Sequence, residues 1–447
     1  MGMLPGMSPS PISPGTGTSG DACPGALRLH SADDGFLARV RIPGGVLSAR
    51  QARALRDAAG RLGDGMLHLT SRGNVQLRGL RDGCGSELAE VLGGAGLLPS
   101  AAHERVRNVV ASPMSGLDGR GFVDVREWLT GLDAALCASS VTPGLSGRFL
   151  FALDDGRGDV AGLGADVLVR GVASGEAEVC VGAVRVRVPY EWGVRVAVGA
   201  AEGFVAVARG VGGRVWRVAD LGAARRELEE RVLGLPGLRP RGSAPDPAPQ
   251  TPAGLDVPTR SHTSRGSAPD PAPQTPAGLD LPTRSHTSRG SAPSPAPQTP
   301  AGLERTRGSG PVFTVPLGVL GPKQWGALVD VARRLPEQEL RLTPWRGVVV
   351  PGAGPAHAAE LTRTGLVADP DSPWTRVAAC VGRPGCAKAH ADVRAEAAAR
   401  IDEAHPELPT YWSGCERRCG HPAGDYVDIV ARPDGGYTTN FPHHTES

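Results

Sequence analysis

Between residues 37 and 42 apolar and polar positions alternate: Ala38, Val40 and Ile42 fall on one face and Arg39 and Arg41 on the other, as in a half-buried strand. The period then lengthens. Ser48 and Gln51 form a capping box, and Leu55, Ala58, Ala59 and Leu62 recur at helical spacing behind it, so an amphipathic helix follows the strand. Two further short strands are predicted over 66–70 and 75–78, joined by Ser-Arg-Gly-Asn.

The same pattern returns beyond residue 310 at a constant offset of 273, which carries Pro43 onto Pro316, Leu55 onto Leu328, Leu62 onto Leu335, Leu69 onto Leu342 and Thr70 onto Thr343. A strand over 312–315 and a helical stripe of Leu328, Val331, Ala332 and Leu335 complete the second copy. One extra residue, Trp345, then shifts the register, setting Leu-Thr-Pro-Trp-Arg-Gly against Leu-Thr-Ser-Arg-Gly. An ungapped match through strand, helix and strand indicates an internal duplication. Neither copy can bury its helix alone, so the two are expected to pack into one ferredoxin-like sheet.

Between the copies, a helix is predicted over 126–138, Val-rich strands over 178–188 and 203–209, and a helix near 221–233, a mixture that indicates an α+β module. Residues 241–308 repeat with period 24 and are dominated by Pro, Ser, Gly and Thr, with too few large aliphatics for a core. The expected organisation is therefore a disordered N-terminus (1–25), a first half-domain (26–95), an α+β module (96–236), a disordered repeat linker (237–310), a second half-domain (311–368), and a cysteine-bearing module with a flexible tail (369–447).

The length of 447 residues allows two or three cored domains. A net charge of +2, with both signs interspersed, leaves no footprint for nucleic acid. The absence of an 18-residue apolar run and of a signal-like start argues against a membrane or secretory role. Four of the eight cysteines, Cys23, Cys84, Cys137 and Cys180, are scattered singly and suggest no disulfide framework, so a reducing cytoplasmic setting is expected.

The other four cysteines change the picture. Cys380 and Cys386 form C-x5-C, and Cys415 and Cys419 form C-x3-C. Two close pairs can surround one compact metal centre at small entropic cost. Zinc knuckles space their thiols more tightly than the first pair, whereas four thiolates are the usual ligands of an iron–sulfur cubane. Gly382, Gly385, Gly414 and Gly420 would let backbone N–H groups approach sulfur. A structural zinc and unligated thiols are the alternatives.

This cysteine arrangement resembles that of the sirohaem-dependent sulfite and nitrite reductase superfamily. By that resemblance Arg72, Arg107 and Arg148 match its anion-binding positions and Gln76 lies where relatives touch the macrocycle, with Val350 opposite it in the second copy. Guanidinium forks suit carboxylates, although each arginine alone could equally be a solvated charge at a strand end. The chain departs from the reductases in having Arg148 and Leu150 where they keep Lys-x-Lys. A small oxyanion reduced by six electrons needs an ammonium group to hold and protonate it, which this pair lacks. Cys419-Gly-His-Pro and Ala-Cys-Pro-Gly-Ala-Leu-Arg (22–28) are instead similar to the precorrin-3B synthase branch. That branch implies O2- and NADH-dependent hydroxylation of the tetrapyrrole precorrin-3A at C20 with γ-lactone formation, a [4Fe-4S] cluster on the four cysteines and a mononuclear non-haem iron. No ligands can be named for that iron: His390 and His421 lie nearest the cysteines, but no two-histidine, one-carboxylate spacing is visible. No Gly-x-Gly-x-x-Gly appears, so NADH is expected to act through a partner reductase. Sirohaem belongs only to the alternative, a sulfite or nitrite reductase; an electron carrier is a third reading.

Overall fold

The computed structural model describes residues 24–236, 238, 312–422 and 424–441. The repeat over 241–308, and with it the linker expectation, lies outside the described residues, as do residues 1–23 and 442–447. Gly25 is already tied into the fold, because the Arg39 N–H donates to its carbonyl at 3.1 Å.

The first copy comprises β1 (His30–Ala32), β2 (Gly35–Val40), β3 (Val46–Ser48), α1 (Ala49–Leu62), β4 (Leu67–Leu69), β5 (Val75–Leu80) and α2 (Gly85–Gly94). The α1 helix begins at the predicted capping box, with the Ser48 hydroxyl accepting from Gln51 N–H and the Gln51 side chain accepting from Ser48 N–H. After the middle module come β11 (Val312–Thr314), β12 (Val319–Leu320), α6 (Pro322–Arg334), β13 (Glu339–Leu342), β14 (Gly347–Val349) and α7 (Pro355–Thr362).

The two copies do not share one sheet, contrary to the expectation. They form two sheets, β1-β2-β5-β4-β12 and β11-β14-β13-β3, each completed by a short strand lent by the other copy. The cause is a tight turn at equivalent places, Pro43–Gly45 and Pro316–Gly318, which throws β3 and β12 across. Gly45 has φ 72° and a side chain there would collide with the Leu342 carbonyl of the other copy, so only glycine permits the crossing. Helices α1 and α6 pack together, and the Trp325 indole N–H donates to the Ala52 carbonyl at 2.7 Å, a contact between positions related by the 273-residue offset. Leu55, Leu62, Phe313, Trp325 and Leu328 thus lie in one core drawn from both copies.

The middle module contains β6 (Val109–Ala111), α3 (Arg126–Ala138), β7 (Phe151–Asp154), β8 (Val167–Gly171), β9 (Ala177–Val181), β10 (Val184–Val188), α4 (Gly193–Val211) and α5 (Arg225–Leu233). Its sheet, ordered β10-β9-β8-β7-β6, is parallel from β6 to β8 and antiparallel beyond. Two expectations are corrected. The strand over 178–188 is a hairpin, and 203–209 lies inside α4, where Val196, Ala200 and Phe204 and then Ala197, Ala201 and Val205 are buried at i, i+4 spacing. Alternating Val and Ala satisfied the strand pattern locally; the longer window is helical.

The C-terminal module has β15 (Val377–Ala379), α8 (Val393–Ala399), β16 (Thr410–Ser413), β17 (Val427–Ala431) and β18 (Tyr437–Asn440), with β15, β16 and β17 parallel. No helix among the described residues is long and apolar enough to cross a membrane.

Candidate metal centre and anion-binding site

Strands β15 and β16 run side by side, with Val377, Ala378 and Ala379 opposite Thr410, Tyr411 and Trp412. Both chains therefore leave the sheet at one rim, which brings Cys380, just past β15, beside Cys415, just past β16. The Cys380 N–H donates to the Trp412 carbonyl at 2.9 Å, and the His390 N–H to the Gly414 carbonyl at 2.8 Å. The Gly414 N–H donates to Cys380 Sγ at 3.1 Å, and the Tyr411 hydroxyl donates to the Cys419 carbonyl. A side chain at Gly414 would press into Ala389 and reach Cys380 Sγ, so this glycine is a spatial requirement. Burial pushes the Cys380 thiol up, as do the neighbouring Cys415 and Cys419, while the Gly414 and Gly382 N–H groups pull it down.

Among the described residues, the His, Cys, Asp and Glu ligand atoms that gather in threes within 4.8 Å of one another are those of Asp154, Asp155 and Asp159. No three of the four sulfurs lie that close. A single zinc with bonds of about 2.3 Å would hold its sulfurs roughly 3.8 Å apart. Four thiols on a wider rim, with backbone N–H groups directed at sulfur, fit a cluster better than an ion. Among the described residues, neither His390 nor His421 belongs to a group of three gathered His, Cys, Asp or Glu ligand atoms. His421 Nδ1 lies 2.9 Å from the Pro422 carbonyl with its ring stacked on Tyr426, and His390 is exposed.

Of the candidate anion-binding residues, Arg72 and Arg148 are brought together. Arg72 Nη1 donates to the Arg148 carbonyl at 3.2 Å, and the exposed Arg148 guanidinium lies 4.1 Å over the Trp216 ring. Gln76 sits on β5 opposite Arg39, its amide oxygen turned to accept from that guanidinium. Arg107 does not join them. It is buried, grips Asp133 through Nε and Nη2 at 2.6 and 2.7 Å, and donates to the Leu97 carbonyl at 3.1 Å. A buried guanidinium demands a counter-charge, and here the fold supplies it.

The residues that join these loops were missed. Arg41 was expected on the polar face of a half-buried strand, yet it is 2% exposed, because the middle module covers that end of β2. It donates to the Gly147 carbonyl at 2.8 Å, to Asn108 Oδ1 at 3.2 Å and to the Arg105 carbonyl at 3.2 Å. Asn108 Oδ1 also accepts from Asn74 Nδ2 at 3.1 Å, and Asn108 Nδ2 donates to the Phe149 carbonyl at 3.0 Å. This buried knot fixes the 72, 107 and 148 loops relative to one another. Leu150 is buried with Val110, Ala152 and Val160 in a small apolar cluster against which the inserted Trp345 packs.

On the C-terminal side, Arg78 grips Asp34 at 2.8 Å and donates to the Gly385 carbonyl. Arg394 Nε donates to the Cys380 carbonyl at 3.1 Å, and its Nη1 lies 3.2 Å from His68 Nδ1. Arg346, the second copy's counterpart of Arg72, has φ 59° and lays its stem over Gly318. Burial lowers the pKa of both Arg346 and Arg394, and the charges of Arg78 and Arg346 depress Arg394 further.

The nitrite/sulfite reductase ferredoxin-like half domain matches this chain twice, over residues 30–91 and 312–364. A ferredoxin–nitrite reductase of Synechococcus elongatus is 36% identical over 128 residues, 27% of this chain and 25% of that protein. A precorrin-3B synthase of Sinorhizobium sp is 32% identical over 154 residues, 34% of this chain and 33% of that protein. The matched stretches thus span a quarter to a third of these relatives' lengths. The solved structure of Mycobacterium tuberculosis NirA shares the fold, with a TM-score of 0.62 at 19% identity, over 91% of this chain and 73% of that one. The chain thus carries two nitrite/sulfite reductase ferredoxin-like half domains that lend each other a strand, with four cysteines beyond the second, in a fold shared with NirA.

Proposed function

We propose that the chain is an oxidoreductase of the precorrin-3B synthase type, which hydroxylates precorrin-3A at C20 and closes a γ-lactone, using O2 and electrons from NADH delivered by a partner reductase. One observation carries this reading. Leu150, which by the resemblance stands where the reductases keep the second lysine of Lys-x-Lys, is buried in an apolar cluster against which Trp345, the residue inserted in the second copy, packs. A small oxyanion would find no ammonium group there, whereas a ring bearing many carboxylates could use the adjacent Arg72 and Arg148. The similarity to a precorrin-3B synthase supports the same reading.

Cys380, Cys386, Cys415 and Cys419 would hold a [4Fe-4S] cluster, which supplies a one-electron relay when bound. The chain's own part is to bind and orient: Arg72 and Arg148 meet carboxylates, Trp216 offers a flat face beneath Arg148, and the Arg41–Asn74–Asn108 knot keeps the loops in register. The oxygen-activating residues are not assigned. The need for reduced thiols suits the cytoplasm.

The test is anaerobic incubation with precorrin-3A and reductant, then O2 and mass spectrometry. The expected product has gained one oxygen atom, the other leaving as water. A sirohaem spectrum together with nitrite or sulfite reduction would replace this reading with the reductase.

A further inference from the structure

Three guanidiniums gather where the C-terminal module meets the duplicated core, and only Arg78 is neutralised, by Asp34. Among the described residues neither Arg346 nor Arg394 has a carboxylate within 4.0 Å. Arg394 instead spans from the Cys380 carbonyl to His68, and the Arg346 side chain donates to no acceptor among the described residues. Both arginines are partly buried, and a partly desolvated cation without an anion is costly, so the site anticipates one. Arg394 reaches the Cys380 carbonyl at 3.1 Å, the charge of Cys380 acts on Arg394, and that of Tyr411 acts on both arginines. A neutral donor points the same way: Ser413 is fully buried, its hydroxyl has no partner among the described residues, and it adjoins Gly414, whose N–H already serves Cys380 Sγ.

We infer that Arg346 and Arg394 are fixed counter-cations of the cluster held by the four cysteines and raise its reduction potential, with the Ser413 hydroxyl adding a hydrogen bond. The inference rests on the cluster reading above. A four-thiolate cubane carries a net charge of about −2 that becomes about −3 when it accepts one electron. Nearby positive charge stabilises the reduced form more than the oxidised one, and no proton is needed.

The experiment is a potentiometric titration of the anaerobic holoprotein, followed by electron paramagnetic resonance, with dithionite as one-electron reductant. Arg346→Gln and Arg394→Gln are compared with Arg346→Lys and Arg394→Lys, and iron and acid-labile sulfide are measured first. The Gln variants are expected to keep full iron and sulfide while their reduction equilibrium moves at least tenfold toward the oxidised form, about 59 mV for one electron. The Lys variants, which keep the charge, should move less than half as far. Should Arg394→Gln disturb the module by freeing the Cys380 carbonyl, Arg346→Gln decides alone, since its side chain donates to no acceptor among the described residues. Unchanged potentials in iron-replete Gln variants, or equal shifts in the Lys and Gln pairs, would overturn the inference. Wild-type protein without iron and sulfide would instead overturn the cluster reading, and that result is known before any potential is measured.

Discussion

The middle and C-terminal modules build the same strand ends and fill them differently. In the middle module the Ser112 N–H donates to the Leu153 carbonyl and the Phe151 N–H to the Asn108 carbonyl, both at 3.0 Å. In the C-terminal module the Cys380 N–H donates to the Trp412 carbonyl and the Thr410 N–H to the Arg376 carbonyl, both at 2.9 Å. Ser112 therefore stands where Cys380 stands. Around Ser112 the chain satisfies its own acids. Asp154 accepts four backbone N–H groups, from Gly156, Gly158, Val160 and Ala161; Asp155 and Asp118 share Arg157; and the Ser112 hydroxyl donates to Asp159 at 2.6 Å. Around Cys380 there are thiols, met by backbone N–H groups of Gly414 and Gly382. A closed polar network locks a strand end, whereas an open donor set leaves room for a group from outside the chain.

The largest effect should come from the open side. Cys415→Ser is expected to remove nearly all iron and acid-labile sulfide and the brown absorbance, while the core built from α1 and α6 stays folded by circular dichroism. Retention of a full cluster would show that this thiol is not a ligand. Next comes the closed side. Asp154→Asn leaves one oxygen for four N–H donors and turns an NH2 group toward two of them, which should cost roughly 3 kcal/mol in urea unfolding. Iron content should not change. Loss of iron in Asp154→Asn would mean that the two modules are not independent in this respect.

The duplicated halves were legible because their signals are local. A capping box, a stripe at helical spacing and a 273-residue offset survive without knowledge of neighbours, and α1 and α6 formed where they were expected. The exchange of β3 and β12 was not legible, because it is decided by how closely Gly45 approaches Leu342 in the other copy. Burial by another module was equally hidden. Arg41 read as a solvated face and Arg107 as a ligand grip, yet a neighbouring surface buried the first and Asp133 neutralised the second. The strand predicted at 203–209 failed because small and β-branched residues satisfy two periods over seven positions and only α4's full length separates them. The cysteine pairs were visible as spacing, but the parallel adjacency of β15 and β16 that joins them was not.

The smallest effect tests whether the closed network is strained. Burial pushes the Asp159 carboxyl up to about 7, with the charges of Asp154 and Asp155 adding to it and the Ser112 hydroxyl and Arg157 opposing. In the unfolded chain the same group titrates near about 3.9. Between those two values the native state holds a proton that the unfolded state lacks, so this residue makes stability fall as pH rises through the window from about 4 to about 7, and the loss is complete above it. Asp159→Asn keeps an oxygen for the Ser112 hydroxyl and cannot ionise. The variant should therefore match wild type near pH 4, pull ahead progressively as pH rises from about 4 to about 7, and show a correspondingly flatter profile of thermal midpoint against pH. Parallel profiles would mean that Asp159 is ionised in the fold and that Arg157, already shared by Asp118 and Asp155, carries a third carboxylate across the 3.9 Å that separates them.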